Sequence, residues 1–216
     1  MKRMPRQLLT LLLLYLVSCP VLFGTVDRMI FLFSDTQLQD WVNVRYSDHP
    51  LTTAVHLIPG FLMLCVAPLQ FSDTLRRRYR AFHRFLGRVF CISGIVSGVG
   101  VLWMVIVFPA LGGVLTQVVT FVLVFSMCAF MGIAVKAIRS RRTARHRDFM
   151  MRAYAIALSV STARIFIELA ELFFGLPFEA SFVIASAAGV IVNSGIAEWI
   201  IYQRKRTAEP IQRVPA

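Results

Sequence analysis

The sequence predicts an all-helical integral membrane protein: one domain over residues 1–216, built as a bundle of six transmembrane helices with both termini in the cytoplasm. Three observations carry this. Hydrophobic residues fill 57% of 216 positions and mean hydropathy is +0.70, too apolar for one soluble core with a solvated surface. Six windows, roughly 8–26, 51–70, 88–109, 114–137, 150–173 and 181–202, each supply the about 20 apolar residues a helix needs to cross about 30 Å of hydrocarbon. Twenty of the 23 Lys and Arg residues then fall on one side of a six-span arrangement, and the positive-inside rule makes that side cytoplasmic.

Span one follows Lys2, Arg3 and Arg6. Its Leu16-Val17-Ser18-Cys19 stretch is similar to a lipoprotein cleavage box, but Pro20 follows directly and Val21-Leu22-Phe23 continue the apolar run, so the segment reads as a span. Residues 25–50 form the sizeable external loop, where Asp27, Asp35, Asp40 and Asp48 face Arg28 and Arg45, and Trp41 and Tyr46 suit the interfacial aromatic belt. Span two carries His56 followed by Pro59-Gly60, and that proline removes a backbone bond and kinks the helix beside the histidine. Arg76, Arg77, Arg78, Arg80, Arg84 and Arg88 precede span three, and Lys136, Arg139, Arg141, Arg142, Arg145, Arg147 and Arg152 lie between spans four and five. Arg204, Lys205, Arg206 and Arg213 follow span six. Gly94, Gly98 and Gly100 in span three, with Ala185, Ala188, Gly189 and Gly195 in span six, permit close helix approach.

A net charge of +12 would elsewhere point to nucleic acid, but its placement at membrane boundaries points instead to the bilayer and its anionic lipids, and excludes nucleic acid as a partner. Cys19, Cys65, Cys91 and Cys128 fall in four different spans without Cys-x-x-Cys spacing, so they are read as small apolar core residues, neither a disulfide framework nor a zinc site. No nucleophile triad, phosphate loop, metalloprotease helix or nucleotide fingerprint is present, so soluble-type enzyme chemistry has no support.

Two polar groupings carry the functional expectations. In span five, Ser161, Arg164, Glu168 and Glu171 share one helical stripe. An arginine at mid-span costs about 2.5–3.5 kcal/mol on the insertion scale and needs a partner, which Glu168 supplies one turn on. At about 1.5 Å per residue, Arg164 lies about 21 Å from the start of its helix and His56 about 7 Å below the outer end of span two, a similar depth. An outer cluster of His56, Arg164 and Glu168 is therefore read either as a proton relay or anionic head-group site, or as a structural ion pair beside a core histidine. Asn193 and Glu198 add polar capacity in span six, Glu198 as a counter-charge to the cytoplasmic arginines.

The second grouping is a repeated one, Ala81-Phe82-His83-Arg84 and Ala144-Arg145-His146-Arg147, each just before a long apolar run. A bis-imidazole haem needs two histidines on different helices at one depth, with cations near its propionates. His83 and His146 meet the depth and helix conditions, and Arg84, Arg88, Arg147 and Arg152 are placed to pair propionates or phosphates. For the arginines alone, anionic lipid at about 1 kcal/mol per residue near the surface is the simpler occupant.

The set His56-Leu-Ile-Pro-Gly60, Gln70-Phe71, His83-Arg84-Phe-Leu-Gly87-Arg88, His146-Arg147-Asp-Phe-Met150-Met151-Arg152 and Arg164 resembles an uncharacterised family of bacterial multi-pass membrane proteins, a domain of unknown function. That resemblance implies a helical membrane bundle and no established activity. More distantly, the chain is similar to transmembrane b-type cytochromes that carry one histidine on each of four core helices; His56, His83 and His146 fall where three would lie. Span four departs from that pattern, reading Val114-Leu-Thr-Gln117-Val-Val-Thr120, and His49, seven residues from His56, is about 10 Å away along a helix. The cytochrome similarity thus implies haem b at the inner pair only, His83 and His146 on its iron, with a quinone or redox partner carrying electrons. Three classes compete: a haem redox protein, a small transporter or proton-coupled channel using His56, Arg164 and Glu168, and a structural or lipid-binding membrane protein.

Overall fold

The computed structural model describes residues 6–33, 44, 46–108 and 112–208. Lys2, Arg3, Asp35, Asp40, Trp41, Arg45 and Arg213 lie outside the described residues. Every element described is helical: α1 (Arg6–Leu32), α2 (Pro50–Val66), a 3-10 turn (Pro68–Phe71), α3 (Asp73–Arg78), α4 (Arg80–Val107), α5 (Gly113–Arg139), α6 (Thr143–Phe174) and α7 (Phe178–Ala208). Five of these, α1, α2 with its following turn, α4, α5 and α7, are long and apolar enough to cross a membrane. Helix α6 fills the fifth expected window and, at 32 residues, is the longest, about 48 Å by its rise. Arg152, Arg164, Glu168 and Glu171 along it keep its composition below that of the other five.

The helices overrun the apolar windows at the basic end. Helix α4 begins at Arg80 and α6 at Thr143, because a hydropathy window marks only the lipid-facing part, whereas arginine is a good helix former whose long stem reaches polar surroundings. His83 and His146 therefore sit inside first turns, not in connecting loops. Between α2 and α4 the chain is punctuated by Pro68 and then Ser72, whose hydroxyl accepts from the Leu75 N–H at 3.2 Å and caps α3. Asp73 at the start of α3 and three arginines at its end both complement the helix dipole. The Gln7 carboxamide lies 3.0 Å from the Ser72 hydroxyl, tying the start of α1 to this turn. At the other end α6 stops where Gly175 takes φ 62°, a left-handed cap followed by Pro177.

Helices α1, α2, α4, α5 and α6 pack in that order into a closed ring, α6 returning to α1, and α7 docks on the outside of α6. With neighbours on three sides, α6 contributes the largest run of buried residues, Ala153 and Ser161 among the fully buried. The core gathers Met63, Leu86, Phe90, Met131 and Tyr154 near the basic end. Small-residue packing is tightest at two crossings: a Cβ on Gly100 would stand 2.6 Å from the His56 backbone nitrogen, and one on Gly189 2.6 Å from the Ser159 carbonyl oxygen. Gly195, expected to join them, meets nothing within 4 Å. The four cysteines are free.

Candidate functional site

The first turns of α4 and α6, the last turns of α5 and α7, and the turn leading into α3 meet at the basic end. Helices α4 and α6 flank α5 in the ring, and burial first, then the charges of Arg76 and His146, hold the His83 imidazole below the usual histidine range. The Nδ1 of His146 lies 3.0 Å from the Ala134 carbonyl oxygen on α5; a carbonyl only accepts, so Nδ1 carries the proton and a neutral ring keeps its lone pair at Nε2. Arg147 is in reach of Arg76 and Asp73, and Arg204 is in reach of Arg147. Burial first, then the charge of Arg76, hold the Arg147 guanidinium below the usual arginine range, with Asp73 opposing.

The acids here serve mainly to dock α7. Asp148, 7% exposed, pairs with Arg204, and Lys205 Nζ lies 3.9 Å from its second oxygen. Arg152 grips Glu198 with two bonds, 2.5 Å from Nε and 2.8 Å from Nη2. Glu198 thus does neutralise a basic residue, and Arg152, expected among the groups for a propionate, is already engaged. Arg84 and Arg88 occupy exposed positions on α4. Gln70, noted in the sequence only as part of a motif, lays its Oε1 3.4 Å from where a Cβ on Gly87 would stand, one turn beyond His83. Asp148 carried a legible signal, the lone acid within a strongly basic stretch, but its partners on α7 did not.

The expected outer grouping engages different helices. His56 Nδ1 lies 2.9 Å from the Ser97 carbonyl oxygen and 3.1 Å from its hydroxyl, which donates back to the His56 carbonyl at 2.9 Å. Arg164 lies 3.9 Å from Glu168, its guanidinium stands 5.6 Å over the Phe178 ring on α7, and Nη2 faces Gly24 on α1. The sequence places the two at similar depth, but depth does not give a helix's rotation. Ser161 donates to the Val17 carbonyl at 2.5 Å and Asn193 to Thr162 at 2.7 Å, fastening α6 to α1 and α7. At this opposite end a groove of about 250 Å³ is lined by Asp48, His49, Leu51, Thr52, Trp103 and Val107 among others.

No group of three or more His, Cys, Asp or Glu side chains able to hold a metal ion occurs among the described residues. The family described as predicted membrane protein DUF2306 matches residues 53–201. The chain belongs to this family. The DUF2306 match takes in α2 to α7 and, with them, His56, His83, His146, Arg164 and the Arg152–Glu198 pair. No curated protein and no solved structure matches, so the similarity to b-type cytochromes gains no support from them.

Proposed function

We propose that the protein crosses the bacterial plasma membrane six times and binds an anionic ligand at its cytoplasmic end, in the mouth between the starts of α4 and α6. Helix α6 is then the fifth crossing, with Ser161 turned to α1, Thr162 to α7 and Arg164 toward Gly24 and Phe178, while Glu168 and Glu171 are exposed near its outer end. The observation that carries the reading is the gathering of His83, His146, Arg76, Arg147 and Arg204 from four separate segments, where Asp73 pairs with Arg76, Asp148 with Arg204 and Glu198 with Arg152, so that basic groups outnumber acids among the described residues. Holding like charges together in a partly desolvated site costs free energy that a bound anion offsets. The test is thermal unfolding of the purified protein in sodium sulfate against sodium chloride at equal ionic strength. Sulfate is expected to raise the midpoint for wild type and not for Arg147→Gln; equal shifts in both proteins refute the reading.

The imidazole pair favours a second ligand class, haem b. His83 and His146 would hold its iron through Nε2, with the Ala134 carbonyl fixing the His146 ring as second-shell partners of ligating histidines do. Arg84, Arg88 and Arg147 would face its propionates. Haem would supply one-electron chemistry, with a quinone or partner protein as the exchange partner. The fit has a boundary: Tyr154 packs 5.3 Å from Phe71 and 6.5 Å from Phe90, closing the core beneath the pair, so a macrocycle needs those rings to move. Sharp b-type bands in a reduced-minus-oxidised spectrum, lost in both His83→Ala and His146→Ala, would establish it; a featureless spectrum from folded, haem-supplied protein rejects it.

A further inference from the structure

Among the described residues five buried side-chain polar atoms lack a hydrogen-bond partner, and besides Asp148 Oδ1 and the Tyr154 hydroxyl they are three nitrogens at the basic end, Gln70 Nε2, His83 Nδ1 and Arg204 Nη1. Two are donors by constitution, and the His83 nitrogen becomes one in the tautomer that leaves Nε2 free. Buried donors in folded proteins are nearly always satisfied, and these three come from separate segments, the Pro68–Phe71 turn, α4 and α7. The Gln70 carboxamide lies over Gly87, one turn beyond His83 on α4, its Oε1 3.4 Å from where a Cβ would stand. The charge of Arg76 acts on His83 and on Arg147, and that of Arg147 on Arg204, while Arg76 is paired with Asp73 and Arg204 with Asp148.

We propose that the anion is a phosphate group, seated on Gln70 Nε2 and His83 Nδ1 between the Arg76 and Arg147 guanidiniums, with Arg204 closing the rim. Tetrahedral phosphate offers acceptor oxygens in several directions, as donors arriving from a turn and two helices require, whereas a planar carboxylate offers two in one plane. Arginine pairs with phosphate through charge-assisted, often bidentate bonds. The seat lies in the first turns of helices that enter the bilayer, the level at which anionic head groups meet basic residues. A phosphate there is either a lipid head group or a soluble phosphate compound. The inference rests on the anion-binding reading and not on iron: it uses Nδ1 of His83 and leaves Nε2 untouched.

Full-length, delipidated protein in dodecyl maltoside is dialysed against radiolabelled inorganic phosphate and, separately, mixed with micelles of phosphatidylcholine with or without phosphatidic acid, retained lipid being counted by native mass spectrometry. Wild type is expected to bind one phosphate-bearing ligand saturably, and Arg147→Gln and Gln70→Leu to bind it at least about tenfold more weakly, the loss typical of a hydrogen bond between charged partners. Gln70→Glu, equal in size but offering an acceptor, covers the case in which Gln70→Leu fails to fold. Retention of phosphatidic acid without uptake of inorganic phosphate assigns the site to lipid; uptake of both with mutual competition assigns it to soluble phosphate. Absence of saturable binding in either arm, or variants that bind as wild type does, overturns the proposal. If sulfate stabilises the protein while neither phosphate source binds, the phosphate assignment fails and the anion reading survives.

Discussion

Replacing Gly189 by alanine should loosen the attachment of α7. A Cβ there would stand 2.6 Å from the Ser159 carbonyl oxygen, 3.0 Å from the Ala163 nitrogen and 3.3 Å from the Ala163 Cβ. The first two are backbone atoms of α6 and cannot rotate aside. Restoring ordinary contact near 3.4 Å requires α6 and α7 to part by about 0.8 Å, which stretches the 2.7 Å bond from Asn193 to Thr162 one turn along. Overpacking of this kind costs about 1–3 kcal/mol, a weakened hydrogen bond adds about 1, and the better helix propensity of alanine returns about 1. The net expectation is about 1–3 kcal/mol of destabilisation. Gly195→Ala, on the same helix with nothing within 4 Å, should be neutral or gain up to about 1 kcal/mol. Unfolding in mixed dodecyl sulfate and maltoside micelles, followed by helicity and by fluorescence that includes Trp199 on α7, measures both variants. Gly189→Ala as stable as Gly195→Ala would refute the docking of α7 through this face.

Asp148→Asn should cost about 2–3 kcal/mol in the same unfolding assay, because it leaves Arg204 and Lys205 without their carboxylate; the quarter exposure of Arg204 keeps the loss below that of a fully buried pair. Adding Arg204→Gln should recover part of it, and full additivity would show the pair to be uncoupled. Ser97→Ala should cost about 1 kcal/mol, since the hydroxyl bonds to His56 are lost while the carbonyl bond remains; a neutral result would place His56 elsewhere. A green fluorescent reporter fused after Thr207 should fluoresce, and alkaline phosphatase inserted at Gly175 should be active but inactive at Ser140; activity at Ser140 would overturn the six-crossing arrangement.

Much of the fold was legible because hydropathy and charge act one helix at a time. Each apolar window became a helix, and the basic connections came together as same-side placement requires. What escaped was azimuth. The sequence puts His56 and Arg164 at similar depth, but one meets Ser97 on α4 and the other faces Gly24 and Phe178. The placement of His83 and His146 at the basic end was foreseeable, since each lies in the first turn of a helix that opens within a basic stretch. Asp148 with Arg204, and Arg152 with Glu198, were not, since nothing local tells α6 which helix it adjoins. Gln70 shows the same limit: its spacing marks a turn, and only the packing of that turn brings its carboxamide over Gly87, one turn beyond His83.

The convergence of α4 and α6 at the basic mouth is tested most directly by cross-linking. In protein whose four cysteines are replaced by alanine, His83→Cys and His146→Cys are introduced together and treated with a short bismaleimide, and linked peptides are sought by mass spectrometry. Abundant linkage between the two positions is expected, with little between Trp103→Cys and His146→Cys at opposite ends. Folded protein that gives no 83–146 linkage would contradict the shared site on which the functional reading stands.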